Sequence, residues 1–186
     1  MTIPSKQQSL KMKLLAIAAG LLAIAGTDSS MAATATATAT ANVLIPISVA
    51  VGTNLNFGNV VAGNGTVTLS TSSVRTQAGG TIAALPSGVT AAAARFDITG
   101  DTTNSFSISF SNSSVLTDSS SNTMAATWFW EVAATATPTA QTSGVPATGT
   151  LTGGAAYIYV GGTLAVGSSQ VPGTYTGSLA LTVDYN

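Results

Sequence analysis

From Thr34 to Val51 the chain reads TATATATANVLIPISVAV, and the alternation in that run limits what the rest can become. Odd positions carry Ala35, Ala37, Ala39, Ala41, Val43, Ile45, Ile47, Val49 and Val51, while even positions are mostly Thr, Asn or Ser, with Leu44, Pro46 and Ala50 as exceptions. Period two is the pattern of an extended strand with one apolar face. At about 3.3 Å per residue the run would be roughly 60 Å long, against about 17 to 20 Å for a strand in a small domain. One sandwich cannot contain it. The second half, Asn42 to Val51, is therefore expected as the first strand of the chain's own domain, and the first half as a projection whose apolar face only another subunit can bury. Such a free strand suits addition to a neighbour's sheet.

Ahead of this run, Lys6, Lys11 and Lys13 precede the apolar segment Leu14 to Gly26, and Ser30-Met31-Ala32 then places small residues at the −3 and −1 positions. A basic region, a short apolar region and a small-residue cleavage site, in that order, make a secretory signal. The apolar run is shorter than the roughly 18 to 20 residues a membrane span requires. Cleavage near Ala32 or Ala33 leaves about 186 − 32 = 154 residues, enough for one domain with a single sizeable core. The expected organisation is a signal over 1–32, an extension over 33–42 and a β domain over 43–186.

All three lysines lie in the signal, so the exported part has Arg75 and Arg95 against Asp97, Asp101, Asp118, Glu131 and Asp184, a net charge near 2 − 5 = −3. Without a basic cluster, nucleic acid is not expected as a partner. Charged residues make up only 6% of the chain, so Ser, Thr, Asn and Gly must supply the polar surface. Cysteine and histidine are both absent, which removes Cys-based zinc sites, thiol nucleophiles and Ser-His arrangements. Neither an enzyme nor a cofactor is expected.

Further along, Leu55 and Phe57 continue the alternation to Gly58, and Ala62-Gly63-Asn64-Gly65 is a turn signal. Thr66 to Ser70 places Val67 and Leu69 on one face, and strand signals are then weak from Ser72 to Ala93. Ala94 to Thr99 and Phe106 to Phe110 alternate cleanly around a polar Gly100 to Ser105 link, which predicts a hairpin. Thr127 to Val132 (TWFWEV) is a strand by composition, and Thr135 to Gly149 a polar loop. Ala155 to Val166 reads as a second hairpin turning at Gly161-Gly162. The last segment, Tyr175 to Asn186, puts Tyr175, Leu179, Leu181, Val183 and Tyr185 on one face. No part of the exported chain has a 3.6-residue period, so the fold class is all-β, a sandwich or barrel.

Among candidate sites, Glu131 with Asp97, Asp101, Asp118 or Asp184 would be needed for a glycosidase-type carboxylate pair. With so few acids, solvated surface carboxylates are the better reading. Asp97, Asp101 and Asn104 lack the dense ligand ladder of a calcium loop. Trp128 and Trp130 share a strand face opposite Phe129 and could stack on sugar rings, but aromatics in a β sandwich more often serve a core or a subunit contact. Asn64-Gly65-Thr66 and Asn112-Ser113-Ser114 fit a glycosylation pattern, a match that would be accidental if the source were bacterial.

The signal, the Ala/Thr leader passing into NVLIPISV, the LNFGNVVAG segment and the closing PGTYTGSLALTVDYN together resemble a domain-of-unknown-function family of secreted bacterial β proteins. That family is similar to chaperone-usher pilins, including the archaic type grouped with spore coat protein U. The likeness covers nearly all of the exported chain and is most specific in LNFG and GTYTGSLALTVDYN. It implies an incomplete immunoglobulin-like sandwich with a protruding N-terminal donor strand. A periplasmic chaperone would first lend the missing strand, and an outer-membrane usher would exchange it for the next subunit's extension. Carried over, the donor face is Ala35, Ala37, Ala39, Ala41, Val43 and Ile45, and the acceptor groove is lined by Ile47, Val49, Val51, Tyr175, Leu179, Leu181, Val183 and Tyr185. The donor face departs from better-known pilins in being largely alanine, which suggests shallow pockets or a contribution from Val43 and Ile45. The implied product is an extracellular homopolymer on the cell surface, built head to tail with no membrane segment in the mature form. The alternative is a monomeric surface adhesin or carbohydrate-binding module using Trp128 and Trp130. An outer-membrane barrel would need aromatic girdles that a 6% aromatic chain does not supply.

Overall fold

A computed structural model describes residues 31–80, 83–84 and 88–186. The lysines and the apolar run of the expected signal lie outside the described residues. The chain divides into two units, Met1–Ala41 and Asn42–Asn186. In the first, residues 31–41 have no regular secondary structure and every one is exposed. No described helix is long and apolar enough to cross a membrane.

The second unit is all-β, with every strand pair antiparallel. Its strands are β1 (Ser48–Thr53), β2 (Val60–Val61), β3 (Gly65–Leu69), β4 (Arg75–Ala78), β5 (Ala83–Ala84), β6 (Ala94–Thr99), β7 (Ser105–Asn112), β8 (Val115–Thr117), β9 (Thr123–Ala133), β10 (Thr148–Thr150), β11 (Ala155–Val166) and β12 (Leu179–Tyr185). In the larger sheet β1 pairs with β6, β6 with β11, and β11 with β9, while β3 and β4 extend it and β8 pairs with β9. The smaller sheet runs β10-β7-β12, and β2 with β5 makes a separate ribbon. The path β1-β6-β11-β9 against β7-β12 is the A-B-E-D and C-F arrangement of an immunoglobulin-like sandwich. The position beside β12 that strand G would take has no described strand in it.

β11 is the spine. One of its edges carries β9, and the other carries β6 along Ala155 to Val160 and then β3 along Gly162 to Val166. Two core clusters sit along it. One gathers Phe96, Ile98, Phe106, Ile108, Ile158 and Val183, and the other Phe57, Val67, Leu69, Leu116, Met124, Leu164 and Val166. Burying each of the larger of these side chains contributes about 1.5 to 3 kcal/mol, the main favourable term for a domain without disulfides.

Four expectations from the pattern are corrected. The first strand starts at Ser48, not Asn42: Pro46 has no N–H to give a ladder, and Val43 and Ile45 are exposed. Ala94 to Thr99 and Phe106 to Phe110 are strands, yet they do not pair with each other. β6 lies between β1 and β11, and β7 between β10 and β12, so the Gly100 to Asn104 link crosses from one sheet to the other. Their apolar faces meet as facing layers, which a hairpin within one sheet could not achieve. Gly161-Gly162 is not a turn but the middle of β11. Each glycine lies opposite an aromatic on β9, Phe129 and Trp128 respectively, and a Cβ would come within 2.4 Å of Phe129 Cε2 or 2.6 Å of Trp128 Cε3. The missing side chains make room for the rings, a pairing that compensates glycine in a strand. Finally, Tyr175 precedes the last strand, which starts at Leu179.

Candidate functional site

β1 is an end strand of the larger sheet and β12 an end strand of the smaller, since among the described residues β1 pairs only with β6 and β12 only with β7. Val49 lies opposite Ile98 and Val51 opposite Phe96, so both valines point to the face on which those two residues are buried. They are nevertheless 39% and 61% exposed. On the facing sheet, Leu179, Leu181 and Tyr185 are only partly buried, although Val183 is covered. An apolar slot is left open along this side of the sandwich.

One end of the slot is tied shut. The Tyr185 hydroxyl donates to the Ile45 carbonyl at 2.7 Å and accepts the Asp101 N–H at 2.6 Å. A side chain at Gly100 would run into that hydroxyl. At the other end the slot widens into a cavity of about 750 Å³, lined by Val51, Leu55, Phe57, Leu116, Trp128 and Leu179 among others.

The LNFG segment builds one wall of this cavity. Asn56 exchanges two backbone hydrogen bonds of 2.8 Å with Ala92, which continues the line of β1 beyond Thr53 and sets Leu55 and Phe57 on the cavity side. Gly58 then turns the chain with φ of 73°, a conformation that costs glycine little. Its N–H donates to Asn56 Oδ1 and the Arg75 guanidinium donates to the Phe57 carbonyl, so the turn is fixed from both sides. Opposite, the Tyr175 hydroxyl donates to the Val171 carbonyl at 2.7 Å and accepts from Gln170 Nε2. This is the tyrosine corner expected where strand E passes to strand F of an immunoglobulin-like domain.

The residues expected in an acceptor groove thus divide. Val51, Tyr175 and Leu179 border the cavity, Val49 and Leu181 face the slot, Ile47 and Val183 pack on the first core cluster, and Tyr185 closes the end. Leu55, Phe57, Leu116, Met124, Leu164 and Val166 belong to the cavity wall and were not assigned to it from the sequence. Only LNFG carried a signal for them, as a motif without a role. On the donor side, Ala35, Ala37, Ala39 and Ala41 are exposed in the first unit, and Val43 and Ile45 are 90% and 59% exposed in the second.

The other candidates are occupied elsewhere. Trp128 and Trp130 pack against the two core clusters, and their indole N–H groups donate to the Ser113 and Pro146 carbonyls. The ring centroids of Phe110 and Trp130 lie 4.4 Å apart. Asp97 forms a two-point ion pair with Arg95, whose pKa is raised by the hydrogen bond and charge of Asp97, while Asp101 accepts from Thr102 N and Asn104 Nδ2. Glu131 accepts from the Thr139 N–H and hydroxyl, which straps the long loop to β9. Asp118 accepts from Asn122 and Ser120, and these bonds, that of the Asn122 side chain first, hold its pKa below the usual 3.8. Among the described residues no group of three or more acidic side chains comes together to hold a metal.

A family model described as a domain of unknown function, DUF4402, matches residues 47–185. No curated protein matches the chain.

Proposed function

The chain belongs to the DUF4402 family of domains of unknown function, and on that premise we propose that it is a structural, pilin-like subunit that polymerises by donor-strand exchange into an extracellular filament. The observation that carries this reading is the exposure of Val49 and Val51 on the core-facing side of β1, across from a β12 whose other edge has no partner among the described residues. An unpaired edge beside uncovered apolar surface is an aggregation hazard. A strand donated by a second copy satisfies that edge and covers the valines together. The occupant is the leader, Ala35 to Ile45, which alternates along its length and is exposed where described. Contacts of this kind are heterologous and do not close, so they propagate as a fibre. Export with the help of a periplasmic chaperone and an outer-membrane usher completes the proposal, because the groove needs protection until a neighbour fills it.

Deleting Ala33 to Ala41 tests the reading. The shortened subunit keeps a groove but has little strand to donate, so electron microscopy of the purified chain should show fibres for the wild type and none for the deletion. Fibres of normal length from the deletion would sink the proposal.

A further inference from the structure

Resting on the donor-strand reading above, we propose that the size gradient of the leader, alanine first and valine and isoleucine last, makes it a strand for a second copy and a misfit for its own domain. β1 and β12 run in opposite directions across the slot. Ile45 meets Tyr185 at the closed end, and Val51, six residues after Ile45 (51 − 45), and Leu179, six residues before Tyr185 (185 − 179), meet at the cavity. The slot therefore has a narrow, tied end and a wide, deep end. In a cavity of about 750 Å³, branched side chains reach more of the apolar wall than a methyl group does and gain more dispersion contacts there.

Two directions of insertion are available, and the gradient separates them. Only Pro46 and Ile47 lie between Ile45 and Ser48, so a leader turning back on its own domain must enter at the closed end. From Ser48 to Leu55 the distance is about 23 Å at roughly 3.3 Å per residue. After a tight turn, the residues that arrive at the cavity are near Ala37 to Ala39, while Val43 and Ile45 stay at the closed end. Self-insertion would put alanine where bulk is needed. It would also lie parallel to β12, in a domain whose strand pairs are all antiparallel, the slightly more stable mode.

The leader of a second copy is not tethered at the closed end. Running antiparallel to β12, it brings Val43 and Ile45 to the cavity and lays the alanines along the narrower remainder. The occupant assigned to the slot is therefore Ala35 to Ile45 of another copy, with its C-terminal end at the wide end. Alanine in the leader then has a purpose: it denies the chain a strand of its own.

Three full chains test this by size-exclusion chromatography with light scattering: the wild type, Val43→Ala/Ile45→Ala, and a reversed leader carrying Ala37→Ile/Ala39→Val/Val43→Ala/Ile45→Ala. The wild type should polymerise, the double variant at least tenfold more slowly, and the reversed leader should stay monomeric and melt at a higher temperature than the double variant. A reversed leader that polymerises like the wild type, or that melts no higher than the double variant, overturns the gradient and leaves the donor-strand reading intact. A wild type that stays monomeric overturns both. A second measurement does not depend on how the reversed leader folds. The chain has no cysteine, so Val43→Cys/Leu179→Cys introduces one defined pair into a leader of otherwise native sequence. Oxidised assemblies should run as a covalent ladder on a denaturing gel. Chains closed on themselves, or assemblies left uncrosslinked, contradict the proposal.

Discussion

Val67 on β3 and Val51 on β1 are the same residue in the same kind of alternating strand, yet Val67 is 0% exposed and Val51 61%. β3 lies between β4 and β11, and its inner face meets Leu116, Met124 and Leu164 in the second core cluster. Among the described residues β1 pairs on one edge only and faces a sheet that stops at β12. Alternation decides which side of a strand is apolar. Whether anything covers that side depends on what distant parts of the chain bring up to it.

The contrast can be broken most severely from the closed side. Leu69→Ala, at a position wholly out of water, should cost about 2 to 5 kcal/mol in urea unfolding, because the surrounding strands cannot collapse into the space left. Gly161→Ala should cost about 1 to 3 kcal/mol, since the new methyl meets the Phe129 ring and the Leu69 carbonyl, each at 2.4 Å. A neutral result in thermal melts would mean that this half of the sheet is looser than its geometry implies. Tyr185→Phe should cost about 1 kcal/mol and speed hydrogen exchange at the Asp101 amide, which loses its acceptor where the two open margins are tied.

On the open side the expected effects are smaller still. Val51→Ala in the isolated subunit should change stability by no more than about 0.5 kcal/mol, as for a surface position. If it costs as much as Val67→Ala in denaturant titrations, the slot is already filled and the comparison fails. The smallest effect concerns pH at the turn after β8. The folded pKa of Asp118 lies below its usual 3.8, so its stabilisation is present above that value and is lost as the pH falls through the lower, folded pKa. Protection factors at the Ser120 and Asn122 amides, which already allow for the intrinsic pH dependence of exchange, should fall only in that acidic window and stay level from neutral pH down to about 5.

Much of this was legible in the residues. The alternation of Val67 and Leu69, of Phe96 and Ile98, and of Leu179, Leu181 and Val183 identified the apolar face of each strand, because side chains in a strand change sides at every residue. Pairing was not legible to the same degree. Gly161-Gly162 has the composition of a tight turn, and only the rings of Phe129 and Trp128 on β9, about 30 residues earlier in the chain, turn it into the centre of a twelve-residue strand. The link from β6 to β7 has the length and polarity of a hairpin, and nothing local says that it changes sheets. The cavity wall was hidden for a related reason: Leu55, Leu116 and Leu164 come from three distant segments and look in isolation like ordinary core residues.

The amino-acid sequence by itself determined an all-β domain, the apolar face of most of its strands, and an alternating leader too long for the domain it precedes, since period and length are properties of consecutive residues. The tertiary structure alone decided that β6 and β7 part company, that β11 carries three partners, and that the slot between β1 and β12 is tied at Tyr185 and deep at Leu55 and Phe57. Those features depend on contacts between residues far apart in the chain, where a hydrogen-bond partner or an empty volume exists only once the sheets have come together.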